Sequence, residues 1–442
     1  MSRKIGMMSL GCPKNQCDAE LMLHKLHEAG YELVEDVAKA DCVIVNTCGF
    51  IESAKQESIE EIIELGKLKP EGRIKAIVVT GCLAERYRDE IREQLPEVDA
   101  VVGIGCNGDI VDVCDRALWG EKFSCYGEKE DMPMEGSRVL TTPPFYAYLR
   151  IADGCDNRCS YCAIPYIRGS YRSRKMDDVV AEAENLAARG VKELILVAQD
   201  TTRYGEDFGG GSLLPELLER LCAIDGIMWI RLLYCYPDRI TDRLLDTIAA
   251  QDKIVKYMDI PLQHCCGDVL KAMNRNGDKD SLLALVSHIR EKVPGIALRT
   301  TMMVGFPGET RDHIEQLALF VREARFEKLG CFVWSAEEGT PAYDLPGRVS
   351  EKEGQRRMDI IMEEQSRCID KWCEAMIGKE LDVVVEGYDR LAECCYGRAS
   401  TDAPEIDGKV FFTAKKKMNE GDIIRVRITD SMECDLIGER IE

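Results

Sequence analysis

Cys155, Cys159 and Cys162 fall within eight residues of one another, in the run IADGCDNRCSYC that begins at Ile151, just past a segment that reads as a strand. Three thiolates at this spacing in a loop can wrap a soft metal centre. A structural zinc site wants four protein ligands, usually from paired C-x2-4-C arms, and no second arm follows here. Three ligands leave one iron of a four-iron cluster open for a group of the substrate. Zinc or unrelated thiols are the plainer alternatives.

A second set is spread along the first part of the chain. Cys12 follows the apolar run Ile5–Leu10, Cys48 follows Cys42–Asn46, and Cys82 follows Ile77–Thr80. The separations are 36 and 34 residues, each about one strand–helix unit. In a parallel sheet the residues just past successive strands meet at the carboxyl edge, where ligands bind. Three thiols there can converge on a second cluster, again one ligand short. Gly11, Gly49 and Gly81 flank them, which suits backbone crowding around a bulky inorganic group. Periodicity alone leaves three inert, buried thiols as an equal reading.

The elements that would hold these groups are legible in outline. At 442 residues the chain is long enough for two to four domains. Through about residue 125, apolar strands alternate with helical patterns over Ala19–Gly30, Ala54–Leu68 and a stretch ending at Leu95, which predicts a parallel sheet. Residues 126–144 lose periodicity and read as a linker. From 145 to 377 six strand candidates alternate with helices: Tyr146–Ala152, Glu193–Asp200, Trp229–Tyr236, Tyr257–Gln263, Ala297–Phe306 and Lys328–Ser335. A doubly wound sheet or a partial barrel fits, and six units fall short of a closed eightfold barrel. A charged helix at about Ser350–Ile377 follows. Residues 378–442, with runs Leu381–Glu386, Gly408–Thr413 and Ile423–Ile428, read as a small all-β barrel.

Composition narrows the setting. Apolar residues make up 45% and charged residues 31%, and the net charge is −21, so a general grip on polyphosphate is not expected, although a local basic patch survives the sum. A chain this long with 21 cysteines is no small secreted disulfide scaffold. The opening MSRKIGMMSLGCPKNQ has only a short apolar stretch, and no run approaches the ~18 residues of a membrane span. The expectation is a cytoplasmic protein, without a membrane, whose cysteines are reduced thiols, metal ligands or redox groups.

The Cys155/Cys159/Cys162 spacing after the first strand of a six-unit βα domain resembles the radical S-adenosylmethionine superfamily. Ser9-Leu10-Gly11-Cys12-Pro13-Lys14-Asn15-Gln16, Asn46-Thr47-Cys48-Gly49-Phe50, Thr80-Gly81-Cys82-Leu83 and Cys159–Gly169 resemble the methylthiotransferases within it, and the terminal barrel is similar to their TRAM domain. The resemblance implies an α/β fold: a parallel-sheet N-terminal domain, a partial (β/α)6 radical S-adenosylmethionine barrel and a small all-β TRAM barrel. It implies two [4Fe–4S] clusters, one on Cys155, Cys159 and Cys162 that generates a radical, and an auxiliary one on Cys12, Cys48 and Cys82 that handles sulfur. S-adenosyl-L-methionine would serve as methyl donor and radical source, with contacts from Gln199, Asp200, Gly305 and Gly308. Arg168, Arg172 and Arg174 could pair a carboxylate of cofactor or substrate. His264 receives no role.

Ser9–Gln16 and Gly397–Gly408 resemble the branch that modifies an aspartate of small-subunit ribosomal protein twelve. Ten Lys and Arg against fifteen Asp and Glu after residue 377 favour a basic protein partner over tRNA; Lys415-Lys416-Lys417 points the other way. An electron donor such as flavodoxin or ferredoxin is implied. The alternatives are a tRNA methylthiotransferase and a non-catalytic iron–sulfur electron carrier. Cys17 and the pair Cys265-Cys266 depart from the family pattern.

Overall fold

The computed structural model describes residues 3–414 and 418–441, so Lys415, Lys416 and Lys417 lie outside the described residues. Cys42-Val43-Ile44-Val45-Asn46-Thr47 is buried along its whole length, as a strand covered on both faces must be. It is β3 of a six-stranded, all-parallel sheet. The others are β1 (Lys4–Ser9), β2 (Glu32–Val34), β4 (Ala76–Gly81), β5 (Ala100–Val102) and β6 (Phe123–Cys125), in the order β2-β1-β3-β4-β5-β6. The short, partly exposed β2 escapes the period reading. It joins the outer side of β1, which leaves β1, β3 and β4 as direct neighbours, and these are the three strands followed by Cys12, Cys48 and Cys82.

Two helix boundaries differ from the sequence reading. The helix Pro13–Glu28 begins at once after Cys12; its first turns are polar, yet Lys14, Asn15 and Asp18 are buried, so polarity hid them from a hydrophobic period. The helix that follows β4 is two, Cys82–Tyr87 and Asp89–Gln94, broken at Arg88 with φ +44°. One expectation about thiols is also corrected. Cys106 and Cys125 form a disulfide, because β5 and β6 are paired at Val102 and Cys125 and the tight turn Ile104–Asp109 carries Cys106 back over the strand end.

The second unit contains β7 (Tyr146–Arg150), the small antiparallel pair β8 (Ala152–Asp153) and β9 (Arg172–Ser173), then β10 (Glu193–Val197), β11 (Trp229–Leu232), β12 (Ile254–Asp259), β13 (Ala297–Val304) and β14 (Lys328–Val333). The large sheet runs β14-β13-β12-β11-β10-β7, all parallel. Strand order decides between the two architectures left open. Each strand adds on the same side of the last, so right-handed crossovers put every helix on one face, and the other face becomes the lining of an open barrel. Leu194, Leu196 and Leu232 pack outward under the helices. Tyr146, Tyr148, Ile195, Val197 and Tyr257 pack inward.

The helix Glu351–Met376 leads to β15 (Glu380–Asp389), β16 (Cys394–Ala399), β17 (Val410–Thr413), β18 (Ile423–Met432) and β19 (Asp435–Arg440), a closed barrel. β16 and β19 each carry Gly and Arg, β19 with acidic residues as well, and so lack a strand pattern. This barrel plugs the inner face of the open one: Val384 and Ala403 join the Tyr146–Tyr257 cluster. Buried charges bind the plug. The Glu193 carboxylate accepts from Arg231 at 2.8 Å and from Arg398 at 2.7 Å, all three side chains being nearly inaccessible. Burial opposes the Glu193 charge, but Arg398 and Arg231 outweigh it and hold its carboxyl below the usual range. Its stabilising contribution is therefore present above the ordinary glutamate range and lost as pH falls through the lower folded value. Glu193→Ala leaves the buried Arg231 without a carboxylate and Arg398 with Glu386 alone, and should cost about 3–5 kcal/mol. Calorimetry of the full chain should show a lower first transition, and limited proteolysis should release the terminal barrel sooner.

Among the described residues no helix is long and apolar enough to cross a membrane.

Candidate active site

The loops after β1, β3 and β4 approach each other so closely that side chains would not fit between them. Gly11 has φ +95°, and a Cβ there would lie 2.8 Å from Cys48 Cβ and 3.0 Å from its sulfur. Gly81 has φ +93°, and a Cβ would meet the Thr47 carbonyl at 2.5 Å. Glycine is thus required twice over, for conformation and for space. Asn15 ties the loops: its Nδ2 donates to the Leu10 carbonyl at 3.0 Å and the Thr47 carbonyl at 2.8 Å. Ser58 brackets Cys48, accepting from its N–H and donating to its carbonyl, both at 3.2 Å. Cys12 is the N-cap of Pro13–Glu28 and Cys82 opens Cys82–Tyr87.

The other trio sits on the loop after β8. Gly154, φ +78°, allows this loop to pass the Ser170 carbonyl, which a Cβ would meet at 2.0 Å. The Cys155 N–H donates to the Gly169 carbonyl at 3.2 Å, and Ser160 N–H to the Met273 carbonyl at 2.9 Å. Asp153 accepts from the Gly154 N–H at 2.7 Å and from Gln199 Nε2 at 2.8 Å.

A buried four-charge cluster brings the two units together. Arg168 donates to Asp18 at 2.7 Å, to Asp153 at 3.0 Å and to Asn15 Oδ1 at 2.6 Å. Arg150 completes it, bonded to Asp18 and, at 3.3 Å, to Asp153. Burial works against the Asp153 charge, but the two arginines outweigh it and hold the carboxyl below its ordinary value. Further along the seam, Arg86 and Lys55 of the first unit reach Glu337, beyond β14, at 2.6 and 3.2 Å.

The result is one cavity of about 440 Å³, lined by Cys12, Cys48 and Cys82 on one side and by Cys155, Cys159 and Cys162 on the other. Apolar residues, among them Phe50, Ile51, Leu233, Phe332 and Trp334, form most of the remaining wall, and Ile406 comes from the terminal barrel. Burial, reinforced by the neighbouring thiols Cys82 and Cys12, pushes Cys48 up to about 12. Burial pushes Cys155 up to about 11. Metal ligation would have to expel those protons.

The donor set fits a polynuclear cluster better than a single ion. A zinc ion with Zn–S near 2.3 Å needs sulfurs about 3.8 Å apart. Among the described residues neither trio brings its three sulfurs within 4.8 Å of one another. Guanidinium groups approach both trios, Arg168 at 3.5 Å from Cys82 Sγ and Arg275 at 3.7 Å from Cys159 Sγ. Such donors suit charged thiolates. Gln199 and Gln263 line the same cavity, and their buried amide oxygens have no hydrogen-bond partner among the described residues.

Family models match in three places: Uncharacterized protein family UPF0004 over residues 4–103, the Radical SAM superfamily over 149–321 and the TRAM domain over 377–441. Ribosomal protein uS12 methylthiotransferase RimO of Thermoanaerobacter sp. strain X514 is 49% identical across 99% of this chain and 100% of its own. The chain belongs to the RimO family. The RimO of Caldanaerobacter subterraneus subsp. tengcongensis is 48% identical over 99% of this chain and 100% of that one. Among solved structures, the radical S-adenosylmethionine methyltransferase TsrM of Kitasatospora setae aligns with 77% of this chain and 75% of its own, at a TM-score of 0.54 and 16% identity. That likeness is one of fold.

Placement of the other candidates in this RimO-family chain is mixed. Gln199 lines the cavity; Asp200, Gly305 and Gly308 do not. Asp200 Oδ2 accepts from Asn157 at 2.9 Å and its Oδ1 from Thr202 at 2.6 Å. Gly305, φ +74°, and Gly308, φ +82°, form a turn in which Gly308 N–H donates to the Gly347 carbonyl at 2.9 Å. The three arginines are engaged within the protein. Arg168 is in the four-charge cluster, Arg172 donates to the Ser170 and Lys129 carbonyls, and Arg174 pairs with Glu135 and Glu182. Cys17 does not line the cavity; it is packed by Arg138 at 3.3 Å, and burial pushes its thiol up to about 11. Asn15, Asp18, Ser58 and Asp153 were not singled out from sequence. A run of polar residues at Lys14–Asp18, immediately after a cysteine, was the available signal.

Proposed function

We propose that this chain is a radical S-adenosylmethionine enzyme that methylthiolates the β-carbon of an aspartate in ribosomal protein uS12. What carries the reading is that both cysteine trios line one cavity, so a radical made at one side and sulfur held at the other meet over a single substrate group. Cys155, Cys159 and Cys162 would hold the radical-generating [4Fe–4S] cluster, and Cys12, Cys48 and Cys82 the auxiliary one. Bound there, the clusters and S-adenosyl-L-methionine supply one-electron cleavage, a carbon-centred radical and transferable methylated sulfur.

The chain's own residues bind, orient and exclude water. The apolar wall keeps solvent from a reactive radical. The free amide oxygens of Gln199 and Gln263 supply acceptors for the polar groups of S-adenosyl-L-methionine. Of the cations on the cavity wall, Arg168 is held by Asp18 and Asp153, Arg299 by Asp259 and Asp407, and Arg275 by the Pro261 carbonyl beside Cys159. The substrate carboxylate is therefore assigned to Lys14, which lies 3.4 Å over the Tyr234 ring and has no carboxylate partner among the described residues. The acidic terminal barrel suits a basic ribosomal protein. A cytoplasmic setting and a donor of the flavodoxin or ferredoxin class follow from the same reading.

The test is incubation of the cluster-reconstituted enzyme with S-adenosyl-L-methionine, reductant and a sulfur source, with uS12 or tRNA offered separately. Mass spectrometry should find a methylthio group on one uS12 aspartate. Modified tRNA with unmodified uS12 would overturn the substrate assignment, and an absence of 5′-deoxyadenosine would overturn the chemistry.

A further inference from the structure

The loop that follows β12 carries a group that the cavity does not use. His264, Cys265 and Cys266 are all buried, and their ligand atoms lie within 4.8 Å of one another, the sole such His/Cys/Asp/Glu group among the described residues. The two sulfurs are 3.9 Å apart. Two thiolates on one tetrahedral zinc ion, each at about 2.3 Å, stand about 3.8 Å apart, so this pair is already spaced as a chelate. Both cluster trios are wider.

The histidine is oriented for the same task. Its Nδ1 is on the cysteine side, where it accepts from the Cys266 backbone N–H at 3.0 Å. Its Nε2 lies 3.6 Å from Glu309 Oε2, and among the described residues neither of those buried atoms has a hydrogen-bond partner. The other Glu309 oxygen is fixed, accepting from Arg357 at 2.7 Å and from the Gly305 N–H at 2.9 Å. A carboxylate behind the far nitrogen of a histidine is the usual support of a metal-bound imidazole. Gln316 Oε1 accepts from Cys266 Sγ at 3.6 Å, so a further oxygen stands beside the pair.

We propose that His264, Cys265 and Cys266 form a mononuclear site for a thiophilic divalent ion of the zinc class, separate from the two clusters and backed by Glu309. Ligation through Nδ1 replaces its bond from the Cys266 N–H and leaves the ring proton on Nε2 facing Glu309. Gln263, which lines the cavity at φ +72°, immediately precedes the site. A metal here would brace that left-handed residue, a conformation costly for a side chain other than glycine.

The test uses the full chain with its clusters reconstituted, supplied with zinc and then desalted. Elemental analysis should give about one zinc per chain, and zinc-edge X-ray absorption should show two sulfurs at about 2.3 Å with nitrogen or oxygen at about 2.0 Å. Cys265→Ala and the milder Cys266→Ser should each lose the zinc with iron unchanged, and Glu309→Gln should weaken zinc binding by roughly 10- to 100-fold. The proposal fails if zinc does not bind, if it binds in an all-sulfur shell that survives both cysteine variants, if iron is lost along with zinc, or if the isolated protein holds a Cys265–Cys266 disulfide that excludes metal.

Discussion

Cys82→Ala should reduce methylthio transfer to uS12 to background while 5′-deoxyadenosine is still formed from S-adenosyl-L-methionine; Cys159→Ala should abolish both. On the proposed reading each trio supplies three ligands, and among the described residues no other cysteine lines the cavity, so removing one would leave a cluster with two anchors. The trios stand on separate loops, and the damage should therefore stay on one side of the cavity. Iron per chain should fall by about half in each variant, because a cluster held by two thiolates is easily shed. Cys222, on the outer helix Leu214–Cys222, serves as control, and Cys222→Ala should keep iron and both activities. Transfer that survives Cys82→Ala would show that the auxiliary trio does not handle sulfur.

The sequence reading singles out both trios because each cysteine sits beside a recognisable element. Cys155, Cys159 and Cys162 share one loop, and Cys12, Cys48 and Cys82 each close a recognisable apolar run. The reading also found six strands in the second unit, since fully buried strands are continuous apolar runs. It could not see that the trios face each other. That depends on Asn15, Asp18, Arg150, Asp153 and Arg168, polar residues whose meaning comes from pairing across more than a hundred residues of chain. Nor could it tell that Arg168 and Arg174 are committed to internal partners, because a bonded arginine and a free one look alike in a string of letters. Gly305 and Gly308 mark a turn, and a glycine that a turn needs looks the same in sequence as one that a ligand needs. The pair Cys265-Cys266 was visible as an oddity, and only the position of Glu309 behind His264 gives it a meaning.

The second large effect is expected at Asp18. Its carboxylate bridges Arg150 and Arg168 where all three are almost inaccessible to water. Asp18→Ala leaves two buried guanidiniums with Asp153 as their shared counter-charge, a loss of about 3–5 kcal/mol, which is a large part of a typical domain's stability. The seam between the first two units should loosen, with a lower thermal transition, faster cleavage in the 126–144 segment and iron lost from both trios together. Asp18→Asn keeps shape and hydrogen-bond capacity and should fall between. Combining Asp18→Ala with Arg168→Met removes a surplus cation as well, so the double variant should be less destabilised than the sum of the singles. Simple additivity would show that the two side chains act independently.

Because Ile406 of the terminal barrel shares a wall with cysteines of both other units, no single module encloses a reaction chamber. A recombination that exchanged one module for a distant cousin's would have to preserve three fitted surfaces at once. Inheritance of the three parts as a block, and drift in concert along their seams, is the evolutionary signature such a shared room should leave.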